Sequence, residues 1–398
     1  MRKRSTRARR CPICSDPMIT SGKTAAGSQR WKCTSSRASS TAPRTDQAVL
    51  ATFTVFLSYL LGKLSQTEIS GNTGRGLRRQ WAWCWTIPTP PIQITGEVYD
   101  QVFIDGIYLP YNGCLLIAHN GHHVLARQWC HRENASAYTA LLAKIPGPDL
   151  VTTDGHGGAA KALKASWPNL AVQRCLIHVH RNNLRDLTST PNTAAGKALF
   201  ALSQRLLKVS TKDEAATWVK LLIEINTEYG AYLTERTWAK DVPAHQRREG
   251  RTWWYTHERD RKVYRRLASL HAKSHLFAFL DFDPARERTT HPIESFNRRI
   301  RLSLDYHRGM TESHMIAMIA MIAMIAMIDW LCYTHSEFPQ PAQHILTHWR
   351  HAGEPTRGLI PAKKTPPPDK PDGPERYGTA LTAEEGLWTR KGWAGRPK

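Results

Sequence analysis

The feature that most constrains this chain is a block of short apolar runs between residues 98 and 173. Residues 98–105, 114–119 and 124–129 read as strands, and Asn120-Gly121 between the second and third is a two-residue hairpin signature. A helical stretch follows at 135–144, then a strand at 150–153, a helix at 159–165 and a strand at 170–173. This β-β-β-α-β-α-β order predicts a mixed sheet. Hairpins open it antiparallel, and strands that each follow a helix continue it in parallel.

The flanking segments differ in texture. Residues 46–70 carry apolar side chains at helical spacing (Phe56, Leu57, Leu60, Leu61, Leu64), and Ser65 and Glu68 stand at capping-box spacing for a second helix. The pair reads as a helix-turn-helix, a pattern that an ordinary helical hairpin shares. Trp81, Trp83 and Trp85 alternate, which predicts an extended segment with the three rings packed on one face. Between 180 and 285 no strand is evident, and Leu199, Leu202, Leu206, Trp218 and Leu222 follow helical spacing. A further helix begins at Pro292, and the Pro/Lys/Gly-rich text beyond Ala352 reads as a disordered basic tail. The predicted organisation is a basic cysteine-bearing region (1–40), a helical region (41–95), a first core segment (96–180), an all-α insertion (181–285), a second core segment (286–352) and the tail (353–398).

Charge narrows the partners. Lys and Arg number 55 against 33 Asp and Glu, a formal net charge of +22, while hydrophobic residues at 41% are enough for a real core. An excess of that size in a folding chain of 398 residues points to a polyanion, nucleic acid first. The basic start MRKRSTRARR has no apolar signal core after it, and the longest uncharged apolar run, Met315 to Ile328, is too short to span a membrane. Eight dispersed cysteines do not make a secreted disulfide framework. A reduced bacterial cytoplasm, at the nucleoid, is the expected setting, with no membrane partner.

Three acids stand where chemistry would need them. Asp105 ends or nearly ends one apolar strand and Asp154 ends another, and each precedes a glycine, so that the chain can turn away and leave the carboxylate at the strand ends where open α/β sheets place their sites. Asp-Gly is also a common turn pair, and only the coincidence at two strand ends favours a site. Glu294 lies in Thr289-Thr290-His291-Pro292-Ile293-Glu294-Ser295-Phe296-Asn297-Arg298-Arg299-Ile300-Arg301. Pro292 suits the first turn of a helix, and Thr290 or His291 can cap it. Ile293, Phe296 and Ile300 then share one face, while Glu294, Asn297, Arg298 and Arg301 share another. Three converging carboxylates in so basic a chain suit two hard divalent cations, Mg²⁺ or Mn²⁺, acting on a phosphodiester.

The strings Asp105-Gly-Ile-Tyr-Leu, Asp154-Gly-His-Gly-Gly-Ala, Gln173-Arg-Cys175-Leu-Ile-His178-Val-His-Arg-Asn182 and Pro292-Ile-Glu294-Ser-Phe-Asn297 together resemble the Mutator-like bacterial insertion-sequence transposases. Asp154 follows Asp105 by 49 residues and Glu294 follows Asp154 by 140, the long second gap that a helical insertion creates in that group. The resemblance runs over about residues 96–335. It implies a ribonuclease-H-like core, a DDE triad of Asp105, Asp154 and Glu294, His178 near the scissile phosphate or the metal, and metal-dependent cleavage and strand transfer at terminal inverted repeats. Bringing two element ends and a target DNA together implies a homodimer or larger assembly. The competing class is a DNA-binding regulator without catalysis, or a catalytically impaired copy. A bare ribonuclease-H-type nuclease would have no use for residues 1–90.

Two other clusters bear on DNA. Cys11-x-x-Cys14 and Cys33-x-x-Ser36 nearly spell a zinc ribbon, with serine at the fourth ligand position. The site is either decayed or holds Zn²⁺ on three thiolates and water. Arg9 and Arg10 beside it would contact phosphates, as would Arg298, Arg301 and Asn297 near the acids. Trp253 and Trp254 sit among arginines, where they would either stack on an unpaired base or pack inside a basic amphipathic helix.

The run Met315 to Ile328 repeats Met-Ile-Ala in tandem and reads as copy expansion of a shorter helix. Three extra units add nine residues, about 2.5 helical turns, which rotates Asp329 and Trp330 to the opposite side. Deleting nine residues of the repeat is therefore expected to raise excision of the element in a cell assay; unchanged excision argues against the expansion having cost activity.

Overall fold

The computed structural model describes residues 10–306, except 12, 26, 42–44, 72–73, 110–112 and 283–285, together with residues 317–351. Arg9 and the tail at 353–398 lie outside the described residues, as do the first two residues of the Met-Ile-Ala run. The chain divides into two compact units. One holds the N-terminal segment to Pro90 with Tyr306–Trp330 and the last described helix; the other holds Pro91–Asp305 and Leu331–Pro339.

The first unit opens with an antiparallel sheet of β1 (Ile19–Lys23), β2 (Gln29–Lys32) and β3 (Ser39–Thr41). Its small core is Cys11, Met18 and Cys33 under Trp31. Helix α1 (Thr45–Leu61) then leads through Ser65 into α2 (Gln66–Ser70) and α3 (Arg75–Trp81). The capping box is present: Ser65 Oγ accepts from the Glu68 amide at 3.3 Å and the Ser65 amide donates to Glu68 Oε2 at 2.6 Å. The tryptophans do not lie on an extended strand. Trp81 ends α3 and Trp85 lies in a 3-10 turn at Cys84–Thr86, so a compact helical path replaces the alternation. Packing is nonetheless the use of Trp81, which is fully buried with its ring edge-on to Phe56 at 5.9 Å.

The second unit is built on the expected mixed sheet. Its strands are β4 (Gln101–Tyr108), β5 (Cys114–His119), β6 (Val124–Cys130), β7 (Leu150–Thr153) and β8 (Ala171–Arg174), in the order β6-β5-β4-β7-β8. The pairs β4/β5 and β5/β6 are antiparallel, and β4/β7 and β7/β8 are parallel. Helix α4 (Ala135–Leu142), capped by the Asn134 side chain, and α5 (Gly157–Ser166) bury Val102, Ile104, Leu116 and Val151 on one face of the sheet. The first aspartate does not end its strand as expected. β4 continues three residues beyond Asp105, held by β5 alone, because its parallel pairing with β7 stops at Ile104–Thr153.

After β8 come α6 (Leu176–Leu187), α7 (Ala194–Leu206) and α8 (Lys212–Thr234), then β9 (Arg236–Trp238), β10 (Trp253–Tyr255) and α9 (Glu258–Ala272). The helices share a core of Leu199, Leu202, Leu206, Trp218, Val263 and Leu267, with Trp218 Nε1 donating to the Leu202 carbonyl at 2.9 Å. The insertion is thus not all-α. Its sequence hides a short antiparallel hairpin pairing Trp253 with Trp238 and Tyr255 with Arg236. The chain then returns to the sheet through α10 (His291–Tyr306), and α11 (Ala317–Thr334) and α12 (Ala342–His351) complete the described elements. Among the described residues no helix is long and apolar enough to cross a membrane.

Two buried glutamines fix that return. Gln173 on β8 donates to the Leu276 carbonyl at 3.0 Å and accepts from the Phe279 amide at 3.3 Å. Gln101 on β4 donates to the Glu287 carbonyl at 2.6 Å and accepts from its amide at 3.1 Å. A Gln173→Leu substitution keeps the volume but strands these backbone groups away from water. It should lower unfolding free energy by about 2–4 kcal/mol in urea titrations; a loss below about 0.5 kcal/mol would show that the clasp is replaceable.

Candidate active site

The parallel register builds the site. Ile104 on β4, Thr153 on β7 and Arg174 on β8 lie in one row across three strands. One residue further, the next row reads Asp105, Asp154, Cys175, where the ladder ends and each chain goes its own way. The Cys175 amide still donates to the Thr153 carbonyl at 2.9 Å before α6 begins, with Cys175 at its N-cap. Side chains alternate across a strand, so Asp105 points away from the face that buries Ile104 under α4 and α5.

Helix α10 brings the third acid. Ile293, Phe296 and Ile300 bury one stripe as expected, while Glu294 stays half-exposed. Asn297, expected at DNA, is instead buried and donates from Nδ2 to Asp105 Oδ2 at 2.8 Å. That bond ties the helix carrying Glu294 directly to the first aspartate. Arg298 and Arg301 are exposed on the same helix. Glu294 Oε1 accepts from the Thr290 hydroxyl at 2.6 Å and lies 3.7 Å from His178 Nδ1.

The acids are crowded. Burial is the first cause that drives the Asp105 carboxyl up from 3.8 to about 7, and the charges of Asp154 and Glu133 add to it. Glu133, in the turn before α4, is an acid that sequence reasoning missed. It too is raised by burial, and it accepts from the Tyr138 hydroxyl at 2.8 Å. Only its place next to the N-cap Asn134 marks it in the sequence. A Cβ on the glycine after Asp105 would stand 2.5 Å from the Glu133 carboxyl, so any larger residue there would have to move that side chain. Gly155, after Asp154, has φ +86° and a Cβ there would collide with the Arg174 guanidinium, which donates to the Asp154 carbonyl. Among the described residues, no lysine or arginine is paired with the carboxylates of Asp105, Asp154, Glu133 or Glu294. Oxygen donors with uncompensated negative charge suit a hard divalent cation such as Mg²⁺ or Mn²⁺, while Glu294 is grouped with Cys175 and His178 closely enough to share one ion.

Beside the acids lies a second set. Cys175 is fully buried; its sulfur accepts from the Thr290 amide at 3.3 Å and lies 3.2 Å from the Thr290 hydroxyl oxygen. Burial opposes its ionisation, but hydrogen bonds from His178 and Thr290 outweigh that and hold the thiol below its ordinary value. The hydrogen bond to Cys175 in turn raises His178. Thr290, read in the sequence only as a helix cap, is the hub of this cluster.

The remaining candidates lie elsewhere. Trp253 and Trp254 stand on β10 with guanidiniums over their rings, Arg236 at 4.2 Å and Arg248 at 5.3 Å. In the other unit, exposed Arg10 donates to the Ser15 carbonyl at 3.2 Å. Cys11 Sγ lies 3.1 Å from Ser36 Oγ and Cys14 Sγ lies 3.5 Å from Cys33 Sγ, with the three sulfurs grouped closely enough to share one ion. The Ser36 hydrogen bond is the first cause that lowers the Cys11 thiol to about 6. Cys33 is lowered too, whereas Cys14 is raised, so two readily ionised thiols and a third gathered at one point fit Zn²⁺.

Residues 96–224 match the family model described as "Transposase, Mutator family". The transposase for insertion sequence element IS905 of Lactococcus lactis subsp. lactis (strain IL1403) is 32% identical over 100 residues, 21% of this chain and 26% of that protein. The chain thus spans about a quarter of the length of the curated relative it matches. The resemblance to Mutator-like insertion-sequence transposases is shown by these two matches. The family match contains Asp105, Asp154, Cys175 and His178 and stops before Glu294.

The crowding has a measurable sign. Below about pH 4 Asp105 is protonated folded and unfolded alike. Between there and about pH 7 the unfolded chain releases a proton that the folded chain keeps, so stability falls as pH rises. Asp105→Asn should therefore match the parent near pH 4 and exceed it by up to about 4 kcal/mol near pH 8, without divalent cations. Denaturant titrations at the two pH values check this, and a pH-independent difference would refute the burial of a strained carboxyl.

Proposed function

We propose that this chain is the transposase of a bacterial insertion sequence, which binds the terminal inverted repeats of its element and cleaves and joins phosphodiesters with Asp105, Asp154 and Glu294. The observation that carries the reading is the register: it sets two aspartates side by side at the end of a parallel ladder, and Asn297, one helical turn from Glu294, is bonded to the first of them. The strand order and the return of α10 over the sheet support a ribonuclease-H-like core, and the family match supports the assignment of the first two acids.

In this reading Mg²⁺ or Mn²⁺ held by the three acids supplies charge neutralisation and an activated water or 3′-hydroxyl. The protein's own part is positional. Asn297 holds the Asp105 carboxylate in one orientation, and the His156 amide holds Asp154 through a 2.8 Å bond to Oδ1. Partial burial of Asp105 removes some of the water around its carboxylate, which strengthens the field there. His178, half-exposed and raised toward protonation, is placed to donate to a phosphate oxygen. Arg298 and Arg301 on the exposed side of α10 would take the DNA backbone beyond the cut.

The other regions supply binding. The helical region at 41–95 with its capped α2, and the cysteine region with Arg10 and three thiols for Zn²⁺, are proposed to read the repeats. Trp253 and Trp254, each backed by an arginine, would stack on a base released at the cut. Pairing two ends would need two copies of the chain.

Incubating this chain, or its nine-residue deletion, with labelled element ends and Mg²⁺ or Mn²⁺ should give nicks bearing 3′-hydroxyls at the repeat boundary. Alanine at Asp105, Asp154 or Glu294 should each reduce nicking at least about a thousandfold, with retention on terminal-repeat DNA changed less than about threefold. Retention without nicking in any form would instead support a DNA-binding regulator. Loss of both together would show that the acids are structural.

A further inference from the structure

Around Thr290 four ligand atoms meet, two from α6 and its N-cap and two from the start of α10. The Thr290 hydroxyl oxygen is 3.2 Å from Cys175 Sγ, 3.4 Å from His178 Nδ1 and 2.6 Å from Glu294 Oε1. His178 Nδ1 is 3.7 Å from Glu294 Oε1, and the ligand atoms of Cys175, His178 and Glu294 all lie within 4.8 Å of one another. A hydroxyl has one proton to donate, so it can serve only one of the sulfur and the carboxylate at a time, while its oxygen can accept from His178. In a tetrahedral zinc site with bonds of about 2.0–2.3 Å the ligand atoms stand roughly 3.3–3.7 Å apart. The contacts at Thr290 fall near these edges, apart from the shorter hydroxyl–carboxylate bond. The set is a thiol, an imidazole and a carboxylate, softer than the acid row beside it.

We propose that Cys175, His178 and Glu294, with the Thr290 hydroxyl at the fourth corner, form a site for a thiophilic divalent cation of the Zn²⁺ class, and that filling it withdraws Glu294 from the acid row. Binding replaces the Cys175 thiol proton, which leaves to solvent, so thiolate and carboxylate together neutralise the ion. Sulfur and imidazole favour Zn²⁺ over Mg²⁺, whereas the acid row takes the hard ion. One carboxylate then serves two sites, and the cation available decides which. The withdrawal of Glu294 rests on the transposase reading; the binding site itself does not.

The binding test uses Co²⁺ as the probe on the full chain and on its C175S variant, without DNA. The N-terminal thiols contribute equally to both, so the difference spectrum reports Cys175 alone. The parent should gain a near-ultraviolet thiolate-to-cobalt band that C175S lacks. E294Q should keep that band but weaken Co²⁺ binding about tenfold or more. Should circular dichroism show C175S unfolded, H178N takes its place, since His178 is half-exposed, and should weaken binding likewise. Identical titrations of the parent and the folded variants would overturn the site. In the nicking assay, Zn²⁺ added at constant Mg²⁺ should suppress cleavage, and undiminished nicking with the site filled would overturn the withdrawal of Glu294. If no form of the chain nicks DNA, the transposase reading and the withdrawal fall, and the cobalt titration still decides the site.

Discussion

The return of the chain to its sheet is the constraint on which everything else in the second unit depends. More than a hundred residues separate the end of β8 from α10, and closing a loop of that length costs only slowly growing entropy. Placing it at the right register is the harder matter. Gln173 and Gln101 solve it with amides, each gripping a backbone carbonyl and a backbone N–H on the incoming strand of chain. Buried amides tolerate no slip, because a displaced partner would leave donors and acceptors unpaired away from water. The insertion packs around Trp218 in a core that reaches Leu150 of β7, and the glutamines set where α10 lands. The Asn297 bond to Asp105 completes the alignment at the acids themselves.

That alignment creates electrostatic tension. A chain of net charge +22 sets Asp105, Asp154 and Glu133 close enough to repel one another, with no lysine or arginine paired to their carboxylates among the described residues. The cost is visible in Asp105, which keeps a proton to about pH 7, and in Glu133 behind it. Two glycines make the crowding sterically feasible. Gly106 leaves room for the Glu133 carboxyl, and Gly155 leaves room for Arg174. The Asp-Gly pairs therefore do more than turn the chain: only the second uses glycine's left-handed freedom, and the first lies inside a strand.

Sequence patterns revealed the elements whose cause is local. The Asn-Gly hairpin, the capping box at Ser65 and Glu68, the mixed sheet and the apolar stripe of α10 all arise from spacing within a few residues. The features that the pattern concealed depend on partners far along the chain. Asp105 read as a strand end because its exposure looks the same whether a strand stops or merely loses one neighbour; here β7 stops and β4 continues. The β9–β10 hairpin escaped notice because three-residue strands carry no period, and their tryptophans fit a helix pattern as well. Trp81, Trp83 and Trp85 mimicked strand alternation although the backbone is helical. Glu133 and Thr290 have no motif of their own and acquire importance only through the groups that the fold sets beside them.

Glu294 shows why such neighbours matter. Its own carboxylate is bonded into the cluster of Cys175, His178 and Thr290, while Asn297 anchors the same helix to Asp105, and the proposed reading asks it to serve the acid row as well. These two demands oppose each other at a single side chain whose helix is fixed. A rotamer change of a half-exposed glutamate involves little beyond breaking one hydroxyl bond, on the order of 1 kcal/mol net. A divalent cation on either side exceeds that easily, because it also relieves the repulsion among buried charges. On the proposed reading, the balance between the two positions is therefore set by the ions and the phosphate that arrive.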